Sequence, residues 1–440
     1  MHSSLPKVLH PIAGKSLLAH VLNTVETFTK KAATHIIVGH GADQVRESVA
    51  DSDVHFIEQT EQLGTGHAVK QTLPFIKPDS IIVILYGDVP LISAETLQVL
   101  IEKVDPNSLG LLTVNLDNPT GYGRIVRDQQ GSVQSIVEEK DTTDEQKKIG
   151  EANTGIMAVN SQHLQKWLPA LSNNNAQSEY LLTDIIALAV ADNVRVNTHQ
   201  AQNEWEVLGI NNRVQQAQLE RIVQNNIADD LLTKGVTLLD PQRFDCRGKI
   251  SVGSDVCIDV NCIFEGEVTL GNNVTIGANC IIKSASIGDN TIIHPNSILE
   301  DATVENHCNI GPFARLRPGT HIADHGKIGN FVETKKAFIG EGSKVNHLSY
   351  VGDASLGRDV NIGAGTITCN YDGVNKHQTT IEDDVFVGSN SALVAPLTLG
   401  KKVTVAAGSV ITKNVSEEKL VLTRSPQKTL DGWQRPAKKN

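Results

Sequence analysis

Residues 252–282 read VGSDVCIDVNCIFEGEVTLGNNVTIGANCII, and the spacing of their apolar side chains decides the fold of half the chain. Val252, Ile258, Phe264, Leu270, Ile276 and Ile282 recur every six residues. A period of six marks a parallel β-helix, in which each short strand points one aliphatic residue inward and the next residues turn the corner. Three hexapeptides make one triangular coil of about 18 residues. The register returns at Ile310, Leu316, Ile322 and Ile328, and again at Ile381, Val387, Leu393, Leu399, Val405 and Ile411. It slips to five at Ile282/Ile287, Leu299/Val304 and Val351/Leu356, and breaks for longer around CNYDGVNKHQTT, residues 369–380. A long break implies an excursion from the coil. Coils are scaffold, so the excursion is where function is expected.

Composition agrees with stacked aliphatic layers, since 40% of the 440 residues are hydrophobic and only 4% aromatic. The length allows about two to four domains. A formal charge of −11 argues against nucleic-acid and anionic-membrane partners, while local basic clusters leave room for small anionic ligands. No apolar run approaches the roughly 18 residues of a membrane span, and no signal-peptide core opens the chain. A cytoplasmic protein is expected. The six cysteines, Cys246, Cys257, Cys262, Cys280, Cys308 and Cys369, lie in the second half without a CxxC pair and read as buried, reduced thiols. Cys262 and Cys280 are three hexapeptides apart, which stacks them on neighbouring coils.

Up to about residue 200 the pattern is different. THIIVGH, VHFIEQ, SIIVILYGD, GLLTVNL, VQSIVE and NTGIMAVN read as strands, and residues near 15–29, 42–50, 65–73, 93–103 and 178–191 as helices. Such alternation predicts a doubly wound, Rossmann-like α/β domain with a mostly parallel sheet and some antiparallel additions. The stretch NNRVQQAQLERIVQNNIADDLLTKG sets Val214, Leu219, Ile222, Val223 and Ile227 near one face of a connecting helix. The expected organisation is therefore a first domain at 1–210, a linker helix at 211–232 and a β-helix with a C-terminal tail at 233–440.

SIIVILYGDVPLI reads as a buried strand ending in Tyr86, Gly87 and Asp88. Ligands of open α/β sheets collect at the C-terminal strand ends, so Asp88 stands where a phosphate-bound metal is held. Mg²⁺ favours one or two carboxylates plus substrate phosphates. Taken alone, Asp88 could equally cap a turn before Pro90. EQLGTGHAV offers Gly64, Thr65 and Gly66 as a backbone cradle at a helix start. GYGRI, IVEEKD and EANTGIM supply further small and polar loop residues. In the second half, FVETKKAFIGEGSKVNHLSYVGDASLGRDVNIGAGTITCNYDG carries His347, a residue type suited to taking the proton of an attacking amine, and Glu333, a carboxylate able to orient it. A single histidine on a β-helix is otherwise more often structural.

Together these motifs resemble the sugar-nucleotidyltransferase family. With the hexapeptide helix and the NYDG loop, the whole chain resembles the bifunctional bacterial enzymes that acetylate glucosamine 1-phosphate and then uridylylate the product to UDP-N-acetylglucosamine. The resemblance implies a left-handed β-helix, acetyl-CoA and UTP as co-substrates, Mg²⁺ for uridylyl transfer, and a homotrimer. It implies that Lys7, Gln59, Gly64, Thr65, Tyr86, Gly87, Asp88, Gly123, Glu138, Asn153 and Asn211 contact nucleotide or sugar, with Asp88 and Asn211 holding the metal. By the same resemblance His347 is the general base. Arg317, Lys335, Tyr350 and Asn361 bind the amino-sugar phosphate, and Ala364, Asn370, Tyr371, Ser389, Ala407 and Arg424 line the acetyl-CoA site. The readings that compete are a single-function sugar nucleotidyltransferase with a regulatory β-helix, and a non-catalytic scaffold.

The opening MHSSLPKVLHPIAGK departs from the pattern. In the family a first strand runs into a loop of the form LxAGxGTRM ahead of LPK, and here Met1 stands in the place of its last residue. For the chain as given the resemblance thus implies a missing opening segment, a loosened first domain and weak uridylyl transfer beside an intact acetyltransferase; the alternative, preferred to a natural loss, is that Met1 is a misplaced start and the cellular protein is longer.

Overall fold

The computed structural model describes residues 1–28, 33–436 and 438. They form two compact units, Met1–Ile222 and Val223–Asn440. In the C-terminal tail Arg435 and Lys438 are exposed, and residues 437, 439 and 440 lie outside the described residues.

In the first unit two short strands, β1 (Pro11–Ile12) and β2 (Lys15–Ser16), precede α1 (Leu17–Phe28). There follow β3 (Thr34–Val38), α2 (Ala42–Ser48), β4 (Val54–Glu58), α3 (Thr65–Lys70), β5 (Ile81–Ile84), α4 (Ala94–Glu102) and β6 (Ser108–Asn115). Next come β7 (Arg124–Arg127), β8 (Val133–Val137), β9 (Glu151–Asn160), α5 (Ser161–Trp167), α6 (Asp184–Ala191) and β10 (Arg195–Gln200). The alternation of strand and helix is as the apolar pattern predicts, but the pairing is less parallel than expected. β3 and β4 form a separate parallel pair, and β10 runs parallel to β6. The other ladders are antiparallel; besides β1–β2 and β7–β8 they gather on β9, whose Met157–Ala158 lies between β5 and β6 and whose Ala152 pairs with β7. β5 is not the buried strand the sequence suggests. It pairs only with β9, its second edge has no ladder among the described residues, and Ile81 is 41% exposed. Strands β1, β7 and β10 and helix α5 lie outside the stretches that the apolar pattern picks out, and β2 opens the stretch near 15–29 that reads as helix.

The long helix α7 (Arg213–Thr233) follows. Leu219 is buried there, yet Val214, expected on the same face, is 67% exposed. A polar residue does part of the docking instead. Fully buried Gln224 accepts from the Cys246 N–H at 2.7 Å and donates to its carbonyl at 2.9 Å.

The second unit is a parallel β-helix. Ile258 pairs with Ile276, three full hexapeptides on, and Ile276 pairs with Ile293, one residue short of three, so each slip to five in the sequence shortens one coil by a residue. Ile362 pairs with Val387, well beyond the length of one coil, and the surplus is the excursion at 370–378. Two side chains per strand face inward, as with Val268 and Leu270 or Cys280 and Ile282. Each fully buried aliphatic side chain contributes about 1.5–3 kcal/mol. The cysteines are free, and burial pushes the Cys262 thiol up to about 12 and the Cys280 thiol up to about 11, so the ladder is packing. Asparagines turn one corner in the left-handed region, Asn261, Asn279 and Asn296 at φ near 60°, linked side chain to side chain at 3.0 and 3.3 Å. Three bulky residues, Phe313, Phe331 and Leu348, then take over that corner at φ 56°, 55° and 48°. All three are exposed, with the phenyl rings stacked at 5.2 Å.

Candidate active sites

In the first unit the chain beyond β5 turns at Tyr86–Gly87–Asp88. A Cβ on Gly87 would lie 3.2 Å from Val8, so the glycine lets the short turn at Lys7–Leu9 pack against the strand end. That contact delivers Lys7, whose Nζ sits 2.5 Å from Asp88 Oδ2 and donates to Asn211 Oδ1 at 2.9 Å. The Ile210 N–H donates to the Asp88 carbonyl at 3.0 Å, which holds the Asn211 segment in place. One positive centre therefore already lies between the two oxygens expected to hold Mg²⁺. Among the described residues no group of three His, Cys, Asp or Glu could hold a metal. A metal resting on Asp88, Asn211 and ligand oxygens fits the Mg²⁺ preference for few protein ligands.

Tyr86 lies deep beside this cluster. Burial, with Glu138 and Asp88 nearby, pushes its hydroxyl up to about 12, so it is a neutral donor at physiological pH. A Cβ on Gly155 would fall 2.5 Å from the Tyr86 ring, and Gly155 has φ 81°, so both close approach and conformation call for glycine. Gly123 is constrained by close approach alone, since a Cβ there would lie 2.8 Å from Ile136 and 3.5 Å from Glu138 Oε2. The Asn153 N–H donates to the Gly123 carbonyl at 2.8 Å, and the Asn153 side chain accepts from the Gly155 N–H at 3.0 Å. Glu138 accepts from the Thr183 hydroxyl at 3.0 Å, and burial raises its pKa above the ordinary carboxylate range. Buried Arg124, missed by the sequence reading, pairs with Glu139 at 2.7 Å, and Glu139 also accepts from the Gly121 N–H, tying the Gly123 loop to the Glu138 turn.

The Gly64–Thr65–Gly66 turn is not the open cradle expected of it. The Gly66 N–H donates to the Tyr180 carbonyl at 2.8 Å, and the Thr65 hydroxyl accepts from the Leu182 N–H at 3.1 Å. A Cβ at Gly64 would stand 2.6 Å from the Tyr180 oxygen, so Gly64, at φ 111°, serves the strap over the turn. Gln59 reaches back to donate to the Gly64 carbonyl at 3.2 Å. Through Leu182 and Thr183 the same strap joins this turn to Glu138.

In the second unit His347 is exposed, and its ring partner is not Glu333. Nδ1 lies 3.0 Å from Asn330 Oδ1, and Asn330 is its register neighbour on the preceding coil. Glu333 instead pairs with Arg317 at 2.7 Å and stacks on Tyr350. Lys335 pairs in register with Gly352, over which the Tyr350 ring lies. Lys376, from the excursion, with Arg317 and Lys336 lowers the Lys335 pKa by like-charge repulsion. Lys376 is a further cation of this cluster that the sequence reading missed.

The excursion is a tight knot. Asp372 accepts from the Val374 and Asn375 N–H groups and pairs with His377 at 2.6 Å, contacts that hold its carboxyl well below the usual range. Tyr371 is exposed and donates to the Gly373 carbonyl at 2.6 Å, and Asn370 donates to Asp353. Asn361 is half-buried, in register with Lys344 and Phe386. Ala364, Ser389 and Ala407 stack along one corner: the Asn390 N–H donates to the Ala364 carbonyl, the Gly408 N–H to that of Ser389, and Arg424 to that of Ala407 at 3.1 Å. The residues expected at acetyl-CoA thus line one corner and the adjoining excursion.

Residues 1–128 match the family model of the MobA-like NTP transferase domain, residues 246–325 that of the GMPPB C-terminal domain, and residues 378–413 the hexapeptide repeat of succinyl-transferase. The bifunctional protein GlmU of Saccharophagus degradans is 63% identical over 440 residues, all of this chain and 97% of that protein. Those of Marinobacter nauticus and Cellvibrio japonicus are each 58% identical, over the whole chain and 96% and 97% of their own lengths. The expected loss of a Gly-rich opening segment is not borne out by these matches. Identity of this order along the whole of the chain shows that it belongs to the bifunctional GlmU family.

Proposed function

We infer that the chain makes UDP-N-acetylglucosamine in two steps, acetylating glucosamine 1-phosphate in its second unit and uridylylating the product in its first. Whole-chain identity of 63% with a bifunctional GlmU protein is the observation that carries this reading.

In the acetyl transfer the sugar amine attacks the thioester carbonyl of acetyl-CoA. A C–N bond forms, the C–S bond breaks, and the amine proton passes to His347 and on to the departing thiolate. Asn330 orients the imidazole. Arg317, Lys335 and Lys376 supply the charge that receives the sugar phosphate, with Tyr350 and Asn361 alongside. Ala364, Asn370, Tyr371, Ser389, Ala407 and Arg424 hold acetyl-CoA.

In the uridylyl transfer an oxygen of N-acetylglucosamine 1-phosphate attacks the α-phosphorus of UTP in line, and pyrophosphate leaves. This is mainly positioning and charge neutralisation. Asp88 and Asn211 would hold Mg²⁺, which neutralises phosphate charge when bound. Lys7 turns to the phosphates, Gln59, Gly64 and Thr65 meet the base, and Tyr86, Gly87, Gly123, Glu138 and Asn153 the sugar. The functional boundaries are 1–210, 211–232 and 233–440.

The chain acts as a homotrimer, a reading supported by the exposed apolar strip of Phe313, Phe331 and Leu348 beside Asn330 and His347. Among the described residues no helix is long and apolar enough to cross a membrane, and the reading places the enzyme in the cytoplasm. Separate assays test the scheme. CoA thiol release with glucosamine 1-phosphate and pyrophosphate release with UTP and N-acetylglucosamine 1-phosphate are both expected. Pyrophosphate release alone would leave a single-function nucleotidyltransferase.

A further inference from the structure

His67 lies on α3, one turn past Gly64, and no substrate role has so far been given to it. Its two ring nitrogens each face a carboxamide nitrogen, Gln59 Nε2 at 3.1 Å from Nδ1 and Gln71 Nε2 at 3.1 Å from Nε2. A neutral imidazole has one N–H and one lone pair, so it can accept from only one of these amides. Gln71 already donates to the His67 carbonyl at 3.1 Å, and sits at the C-cap of its short helix. Gln59 comes from the end of β4 and has the Gly64 carbonyl at 3.2 Å. The Tyr180 ring, centred 6.3 Å from the imidazole, packs beside it on the strap that covers the Gly64 turn.

We propose that His67 is a positioning residue: its Nδ1 accepts from Gln59 and fixes that carboxamide so that the first unit takes uracil in preference to cytosine. With one Gln59 N–H on the Gly64 carbonyl and the other on His67 Nδ1, both donors are occupied and Oε1 alone is left for a ligand. Uracil presents an N3–H donor to such an acceptor. Cytosine presents a bare N3, and two acceptors then face each other. Turning the carboxamide over would suit cytosine, but it would set Oε1 against the Gly64 carbonyl oxygen and leave the Nδ1 lone pair without its donor. A site built to hydrogen-bond one edge discriminates through the groups the wrong ligand leaves unpaired. The proposal rests on the reading that Gln59 meets the base.

The test is the ratio of kcat/KM for UTP to that for CTP, measured by pyrophosphate release from the full chain with N-acetylglucosamine 1-phosphate. His67→Phe keeps a ring and removes the lone pair, and the ratio should fall by roughly five- to thirtyfold, the worth of one hydrogen bond and its unpaired partner. His67→Asn places an oxygen near the Nδ1 position and should restore the ratio to within about twofold. A merely structural role would lower both activities together and leave the ratio unchanged; CoA thiol release by the second unit reports that each variant is made, and a melting transition like the parent's reports that its first unit is folded. A ratio unchanged in His67→Phe but reduced in Gln59→Leu overturns the proposal and keeps Gln59 at the base. A ratio unchanged in both variants overturns the placement of Gln59, and the proposal falls with it.

Discussion

Lys7 lies between Asp88 and Asn211, so under the proposed uridylyl transfer a Mg²⁺ held by these two residues would have to displace it, and UTP would offer the amine a new partner. A competitor already seated in the free enzyme lowers apparent metal affinity by the fraction of sites it fills. The pair is partly exposed, at 39% and 18%, and such pairs are worth about 1 kcal/mol at most. Lys7→Ala should therefore tighten Mn²⁺ binding to the nucleotide-free enzyme by roughly two- to fivefold while uridylyl transfer falls. Paramagnetic-resonance titration of free Mn²⁺ reads this, and an unchanged or weakened affinity contradicts it. Glu138 illustrates the opposite charge in the opposite setting. Burial first, then Asp184 and Asp141, raises its pKa above 4.5, against the Thr183 hydrogen bond. The folded state thus keeps a proton that the unfolded chain loses. The stability this confers is complete below the unfolded pKa and is lost as pH rises through the folded one. Glu138→Gln should melt higher than the parent at about pH 8, by a gap that closes as pH falls toward 4.5, and should bind the sugar nucleotide more weakly. Melting curves across that range decide it, and a gap that widens toward acid would reverse the sign.

Among elements, the β-helix was the more legible because its period is local: the inward-facing aliphatic position recurs every six residues, and a slip to five shows directly as a coil one residue short. The same step could have found the partner of His347, since one coil back from it is Asn330. Glu333 lies nearer to His347 along the chain than a full coil, and so meets Arg317 and Tyr350. His347→Ala should cost about 10²–10⁴ in acetyl transfer, as general-base loss does. Asn330→Ala, which frees the ring without removing it, should cost roughly tenfold. Thiol-release rates measure both, and a loss from Asn330→Ala equal to that from His347→Ala would mean that Asn330 does more than orient. Lys376 stayed hidden because its approach to Lys335 depends on how the excursion folds. The first unit hid more, because its ladders are long-range. The strap that closes the Gly64 turn comes from Tyr180 and Leu182, far along the chain, and no local pattern announces it. For the same reason the buried appearance of SIIVILYGD misled. Apolarity reports what a strand could cover, not how many neighbours pair with it.

At the scale of the whole chain, each unit has its own hydrophobic core. One buried cluster runs from Ala228 to Ile411, and among the described residues three clusters of the first unit lie between Leu18 and Val207. The candidate sites divide in the same way. Lys7, Asp88 and Asn211 meet in one unit, and Asn330 and His347 in the other, where the chemistry asked of an imidazole and a thioester needs no metal. Removing the carboxylate at residue 88 should then act on one reaction only. Asp88→Ala is expected to abolish pyrophosphate release, because the amide of Asn211 and the substrate phosphates cannot by themselves retain Mg²⁺ in place. The same variant should release CoA thiol within about twofold of the parent, since the expected loss of a general base or a phosphate cation is far larger than that margin. EDTA added to the parent should reproduce the pattern, and Mg²⁺ should restore pyrophosphate release to the parent but not to the variant. If thiol release disappears together with the metal, the two reactions share a site or a conformation that depends on Mg²⁺, and the assignment of one reaction to each unit fails.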